Sequence, residues 1–184
     1  TGQNPDPLLR KIFLEELDVR TPDVFFPDNH SSLGTFLGNL FESSEKELHA
    51  NRPDAILILG DTNSCLSAIP AKRQKIPIFH MEAGNRCFDQ RVPEELNRKV
   101  IDHLSDINLV LTEHARRYLI AEGVRPETII KTGSHMREVL DFYRPKIEKS
   151  DVVSRLYLKS GEYFLVSAHR EENVDSPDAM KDLL

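Results

Sequence analysis

At 184 residues the chain has room for one domain and part of another, and its 39% hydrophobic and 29% charged content is ordinary for a globular protein. A net charge of −6 provides no basic footprint for nucleic acid, and no apolar run approaches the length of a membrane span. Cys65 and Cys87 have neither metal-ligand spacing nor a second pair, so incidental thiols in a reducing, cytoplasmic setting are expected, with no metal site.

Residues 1–4 read as the tail of a strand and its turn. The spacing of Leu8, Ile12, Phe13 and Leu17 predicts a short amphipathic helix over 7–17 with those side chains inward, and Val24-Phe25-Phe26 predicts a brief strand. Ser31 or Ser32 then caps a long helix whose inner face is Leu33, Phe36, Leu37, Leu40, Phe41 and Leu48. Glu42, Glu45, Lys46 and Glu47 form its solvated face. The run Ala55-Ile56-Leu57-Ile58-Leu59 has the pattern of a parallel strand buried on both faces. It ends in Gly60-Asp61-Thr62, followed by a helix over 65–75 that contains Pro70. Asp61 or Thr62 serves either as a helix cap or, from the carboxyl edge of the sheet, as part of a site.

Residues 76–79 predict the next strand, and Leu96, Val100, Ile101 and Leu104 predict the apolar stripe of a helix begun by Pro93. Between them lie Glu82, Gly84, Arg86, Asp89, Arg91, Glu94 and Glu95. A loop this crowded with both charge signs, at the edge where parallel sheets bind ligands, points to a site. Taken singly, Glu94 and Glu95 are also explained by the helix macrodipole. Asp61 and Glu82, projecting from adjacent strand ends, can shift each other's proton affinity and serve acid–base work.

A strand over 107–111, a Thr112-capped helix over 113–122 stopped by Gly123, a strand over 128–131 and a helix over 136–143 follow. The polar stretch 146–160 reads as a linker between a first domain, 1–145, and the start of a second, 161–184. Within the latter, Tyr163-Phe164-Leu165-Val166 predicts a buried strand ending in His169-Arg170-Glu171-Glu172-Asn173. His169 is either a structural histidine or faces a cleft, and Arg170 has the fork geometry to grip a phosphate. Strands alternating with helices give an α/β, doubly wound parallel sheet, and no glycine-rich dinucleotide or Walker fingerprint is present. No organic cofactor is expected.

Gly60-Asp61-Thr62, His80-Met81-Glu82-Ala83-Gly84-x-Arg86, Pro93-Glu94-Glu95-x-Asn97-Arg98 and His169-Arg170-x-Glu172-Asn173 together resemble, in type and order, the motifs of the non-hydrolysing UDP-N-acetylglucosamine 2-epimerases. The resemblance implies the N-terminal half of a two-domain, GT-B-like, Rossmann-like architecture, truncated at both ends. It also implies inversion of C2 of a UDP-linked N-acetylhexosamine through a glycal, and a homodimer for the full-length protein. By motif it assigns catalytic roles to Asp61, Glu82, Glu94 and His169. Arg170, Glu172, Asn173, Gln3 and Arg86 are assigned to a UDP-amino sugar. Arg86 and Arg98 alternatively support loop geometry, or simply pair with Glu82 or Glu95. Asn4 stands where many members have His. The short 85–92 loop looks like the branch that makes UDP-N-acetyl-L-fucosamine from 6-deoxy-talosamine sugars. A hydrolysing epimerase, a glycosyltransferase on the same fold and an inactive nucleotide-sugar-binding fragment are the competing readings.

Overall fold

The computed structural model describes residues 1, 11–27, 31–167, 177–178 and 181. They divide into two compact units, Thr1–Ser134 and His135–Leu184.

The first unit is built on four parallel strands in sequential order: β1 (Ile56–Leu59), β2 (Ile78–Ala83), β3 (Ile107–Val110) and β4 (Ile129–Lys131). Ahead of the sheet come α1 (Lys11–Glu16) and α2 (Leu33–Asn51). A 3-10 segment, Asn63–Ser67, leads into α3 (Ala68–Arg73), and α4 (Pro93–Leu104) and α5 (Glu113–Ala121) fill the later crossovers. Ser32 caps α2 by accepting from the Thr35 amide, and Thr112 caps α5 from the Ala115 amide, as the hydroxyl positions predict. Pro93 opens α4, where its missing N–H costs no hydrogen bond.

Strand register places Ile56, Ile58, Ile78, His80, Asn108, Val110 and Ile129 on one face. Cys65, Ala68, Ala71 and Ile101 pack over its first half, and Ala115 and Leu119 over its second, so α3, α4 and α5 share that face. The opposite face carries Leu57 and Leu59, which are 63% and 58% exposed. The expectation that 55–59 is buried on both faces is therefore corrected. Its apolar run is fully hydrophobic, but among the described residues a helical layer covers one side only.

Four other segments of the first unit differ from the sequence reading. Val24 and Phe25 are exposed and form no strand, and Ile12 and Leu17 of the α1 region face solvent. Leu33 lies outside the buried face of α2, which is Phe36, Leu40 and Ser44. The stripe of α4 is also displaced. Leu96 and Val100 are exposed, while Glu95, Asn97, Ile101 and Asp102 are buried. Hydrogen bonds to the loops beside α4 hold these polar groups inside, which outweighs the preference for turning Leu96 inward.

In the second unit, α6 (Met136–Glu148) runs through Pro145 and past the expected end at 143, and α7 (Val152–Arg155) is a single turn. Residues 163–167 form no strand. Phe164 and Leu165 are 98% and 90% exposed. A parallel strand takes its hydrogen bonds from neighbours, and no strand runs beside this segment among the described residues.

Candidate functional site

β1 and β2 end side by side at the carboxyl edge of the sheet, and two turns carry the acidic residues. Gly60, at φ 77°, closes β1 and donates its amide to the Met81 carbonyl at 3.1 Å. β2 breaks register with β3 between Met81 and Ala83, so Glu82 is the extra residue of a β-bulge. Without the bulge, Glu82 would follow His80 onto the buried face; with it, Ala83 takes that place. Glu82 pays in backbone strain: its φ is 66°, a conformation worth roughly 1–3 kcal/mol in a non-glycine residue. One of its carboxylate oxygens, Oε2, reaches 3.5 Å from where a Cβ on Gly60 would stand. Among the described residues no donor pairs with that carboxylate.

Asp61 is differently placed. Arg98, one turn into α4, grips its Oδ2 through Nε at 2.8 Å and Nη2 at 2.7 Å. The same guanidinium donates through Nη1 to Glu95 at 2.9 Å. Glu95 is 0% exposed and organises the loop in front of the helix. Its carboxylate accepts from the amides of Cys87 at 3.0 Å and Phe88 at 3.2 Å, and from the Cys87 thiol. Burial pushes the Glu95 carboxyl upward as the largest single influence, yet the Cys87 and Arg98 donors together hold it below the usual range. Glu94, its neighbour in the same first turn, is exposed.

Beneath the turns runs a line of charged side chains. Asp102 is 0% exposed and contacts His80 Nδ1 at 2.8 Å and Arg86 Nη1 at 2.7 Å. Arg86 donates onward to both oxygens of Glu122 at 2.8 and 2.6 Å, and His103 Nε2 lies 3.3 Å from the same carboxylate. The Arg86 bonds hold the Glu122 carboxyl below its ordinary range against the opposing effect of burial. Gly84, at φ 76°, lets the turn pass close to α5; a Cβ there would come 2.6 Å from the Ala115 carbonyl oxygen. The Cys65 thiol is pushed up to about 12, first by burial and then by the charges of Asp61 and Asp102, so it is no nucleophile.

The structure thus brings Asp61 and Glu82 together at one sheet edge and puts Glu94 on the helix whose Arg98 holds Asp61. Arg86 is corrected. Its side chain is 0% exposed and occupied by Asp102 and Glu122, so it supports the loop and does not present itself to a sugar; its partners are neither Glu82 nor Glu95. Gln3, His169, Arg170, Glu172 and Asn173 lie outside the described residues. The sequence reading missed Glu95 as the anchor of the loop and Asp102 altogether. A signal was there: Glu95, Arg98 and Asp102 recur at i, i+3 and i+7, a charged stripe on the inner face of α4.

A parallel α/β sheet with two carboxylates on adjacent strand ends and an arginine-braced turn has the Rossmann-like arrangement in which ligands bind at the carboxyl edge of the strands. Residues 1–184 match the family model for UDP-N-acetylglucosamine 2-epimerase, and the chain belongs to that family. It is similar to the UDP-N-acetylglucosamine 2-epimerase structure from Rickettsia bellii, with 53% identity and a TM-score of 0.85 over 100% of this chain and 50% of that one. The Methanocaldococcus jannaschii UDP-GlcNAc 2-epimerase in complex with UDP-GlcNAc and UDP matches at 33% identity and a TM-score of 0.80, over 95% of this chain and 49% of that one. A Methanococcus maripaludis UDP-N-acetylglucosamine 2-epimerase homolog is 34% identical over 100% of this chain and 52% of its own length. The chain spans about half the length of the curated relatives it matches.

Proposed function

We propose that the full-length protein inverts C2 of a UDP-linked N-acetylhexosamine, of the UDP-GlcNAc/UDP-ManNAc type. The reading rests on the family membership and on one observation: the Glu82 carboxylate, ejected by a bulge at strained φ, stands without a described partner beside the arginine-bound Asp61. Removal of the C2 proton leaves its electron pair to form the C1–C2 double bond as the C1–oxygen bond breaks and UDP departs. Return of UDP to C1, with protonation of C2 on the opposite face, completes the inversion. Removal on one face and return on the other need two groups: Glu82, which has no described partner, is assigned to one of these transfers, and Asp61, held by Arg98, and Glu94 are the candidates for the other. Glu94, in the first turn of α4, adds the third carboxylate. By motif His169 is assigned a catalytic role, and Arg170, Glu172, Asn173 and Gln3 are assigned to binding the UDP-amino sugar.

The same proposal places 1–145 in a first Rossmann-like domain and 161–184 at the start of a second, in a cytoplasmic homodimer. No described helix is long and apolar enough to cross a membrane. The test is incubation of the full-length protein with UDP-N-acetylglucosamine in heavy water. Epimerised product carrying deuterium at C2 supports the reading; product with unlabelled C2, or free sugar in place of UDP-sugar, overturns it.

A second substrate, UDP-6-deoxy-talosamine, is favoured by the short 85–92 loop. Glu95 pins that loop at Cys87 and Phe88, and Phe88 packs edge-on against Tyr118. Competition between the two UDP-sugars for turnover separates the substrates without disturbing the C2 reaction.

A further inference from the structure

Each oxygen of Asp102 is used. Oδ1 accepts from His80, Oδ2 from Arg86, and the Gly84 amide lies 3.2 Å from both. On the far side of the imidazole, His80 Nε2 is 3.1 Å from the Gly60 carbonyl. The His80 ring thus joins the Asp102 carboxylate on one side to the Gly60 carbonyl on the other. The remaining neighbour is Asn108 on β3, whose Nδ2 donates to the Asp102 carbonyl at 3.0 Å.

Both ends of this cluster fall on the backbone of a turn that carries a carboxylate. Gly60 immediately precedes Asp61, and Gly84 follows the bulge at Glu82 by two residues. We infer that Asp102 is a positioning residue for the site. Through His80 it fixes the Gly60 turn, and through the Gly84 amide it fixes the bulge, so that the Glu82 carboxylate is held over Gly60 at its positive φ. Neither Asp102 nor His80 touches substrate: they act through the two turns. The kinetic part of this inference rests on the epimerase reading above; the conformational part stands without it.

Asp102→Asn in the full-length protein replaces an acceptor with a donor facing Arg86 or Gly84. It is compared with Glu122→Gln, which loosens the outer end of the same charge line and touches neither turn. Asp102→Asn is expected to lower kcat by about a hundredfold with KM little changed, the scale of an ångström-sized displacement at a reacting centre. Glu122→Gln lowers the melting temperature and leaves kcat in place. Equal kcat losses in the two variants, or an unaltered kcat in Asp102→Asn, overturn the inference. If Asp102→Asn does not accumulate, His80→Gln is measured on the same criteria. The Glu82 amide–α-proton coupling is read in the same samples and leaves its left-handed value in Asp102→Asn. A retained coupling overturns the inference even if the full-length protein shows no epimerisation at all, an outcome that counts against the proposed function alone.

Discussion

Arg98 holds Asp61 through two nitrogens, at 2.8 and 2.7 Å, and with its third reaches Glu95 at 2.9 Å. One side chain thereby joins the turn after β1 to the loop before α4. A lysine carries the charge but not the planar fork, so it cannot reproduce the three guanidinium contacts that reach Asp61 and Glu95 at once. Arg98→Lys is expected to lower stability by about 1–3 kcal/mol, the scale of a charged hydrogen bond lost in a partly buried site. In the full-length protein it also lowers kcat. A thermal melt and the C2-deuterium assay check the two effects, and unchanged values for both would remove Arg98 from the site.

Gly84 is required by space as well as by its φ. The Cβ of an alanine would stand 2.6 Å from the Ala115 carbonyl oxygen and 3.0 Å from Leu119 Cγ, with φ fixed at 76°. Neither the α5 backbone nor the turn, which is tied to Asp102, can yield cheaply. Gly84→Ala should cost about 2 kcal/mol or more, combining overpacking with left-handed strain. Denaturant unfolding of the single variant measures it, and a cost below the noise of that experiment would mean that the turn is free to move.

Much of this frame was legible beforehand. The four strands, the Ser32 and Thr112 caps and Pro93 at the start of α4 follow from local chemistry that sequence displays directly. The inner face of α4 did not, because hydrophobicity alone turns Leu96 and Val100 inward, whereas Glu95 and Asp102 are buried by partners distant in sequence. The bulge at Glu82 was equally invisible, since it is a mismatch of register between β2 and β3. Asp61 and Glu82 could be placed on one edge from strand order; that one is ion-paired and the other unpartnered among the described residues could not.

Acid should unfold the chain by titrating its paired carboxylates. The Glu122 and Glu95 carboxyls are both held below their ordinary values, Glu122 chiefly by Arg86, and Glu95 by Cys87 and Arg98 against the larger upward push of burial. A depressed native value means that the unfolded chain binds more protons, so stability rises with pH through this window. The contribution is complete above the unfolded carboxylate value of about 4.3 and is lost as pH falls through the lower native values. Glu122→Gln should therefore lose about 1.5–3 kcal/mol at pH 7, the scale of charged hydrogen bonds lost to Arg86, which keeps its bond to Asp102. That deficit narrows as the pH drops below about 4. Urea unfolding at a series of pH values tests the shape; a variant curve parallel to wild type down to the acid limb contradicts it.

Cys65 should resist alkylation until the chain unfolds. Cys65 is 2% exposed and its thiol is pushed up to about 12, so almost no thiolate is present at pH 8. Iodoacetamide should leave Cys65 unmodified in the native chain and alkylate it once urea unfolds the protein, as peptide mass mapping will show. Rapid native labelling of Cys65 would mean that the packing of α3 on the sheet opens readily.

Glu82→Gly offers the sharpest division between stability and function. A glycine adopts φ 66° without the Cβ penalty, and the bulge that demands this conformation remains anchored by Ala83 and Gly84. The substitution should raise stability by about 1 kcal/mol, a shift of roughly 2–4 °C for a chain of this size. Since Glu82 is the carboxylate proposed to move the C2 proton, the same variant of the full-length protein should exchange no deuterium into C2. A site residue kept in a strained conformation against the interest of the fold is expected to show this opposition. Were Glu82→Gly both less stable and still active, the strain would belong to the fold and the proton transfer to another group.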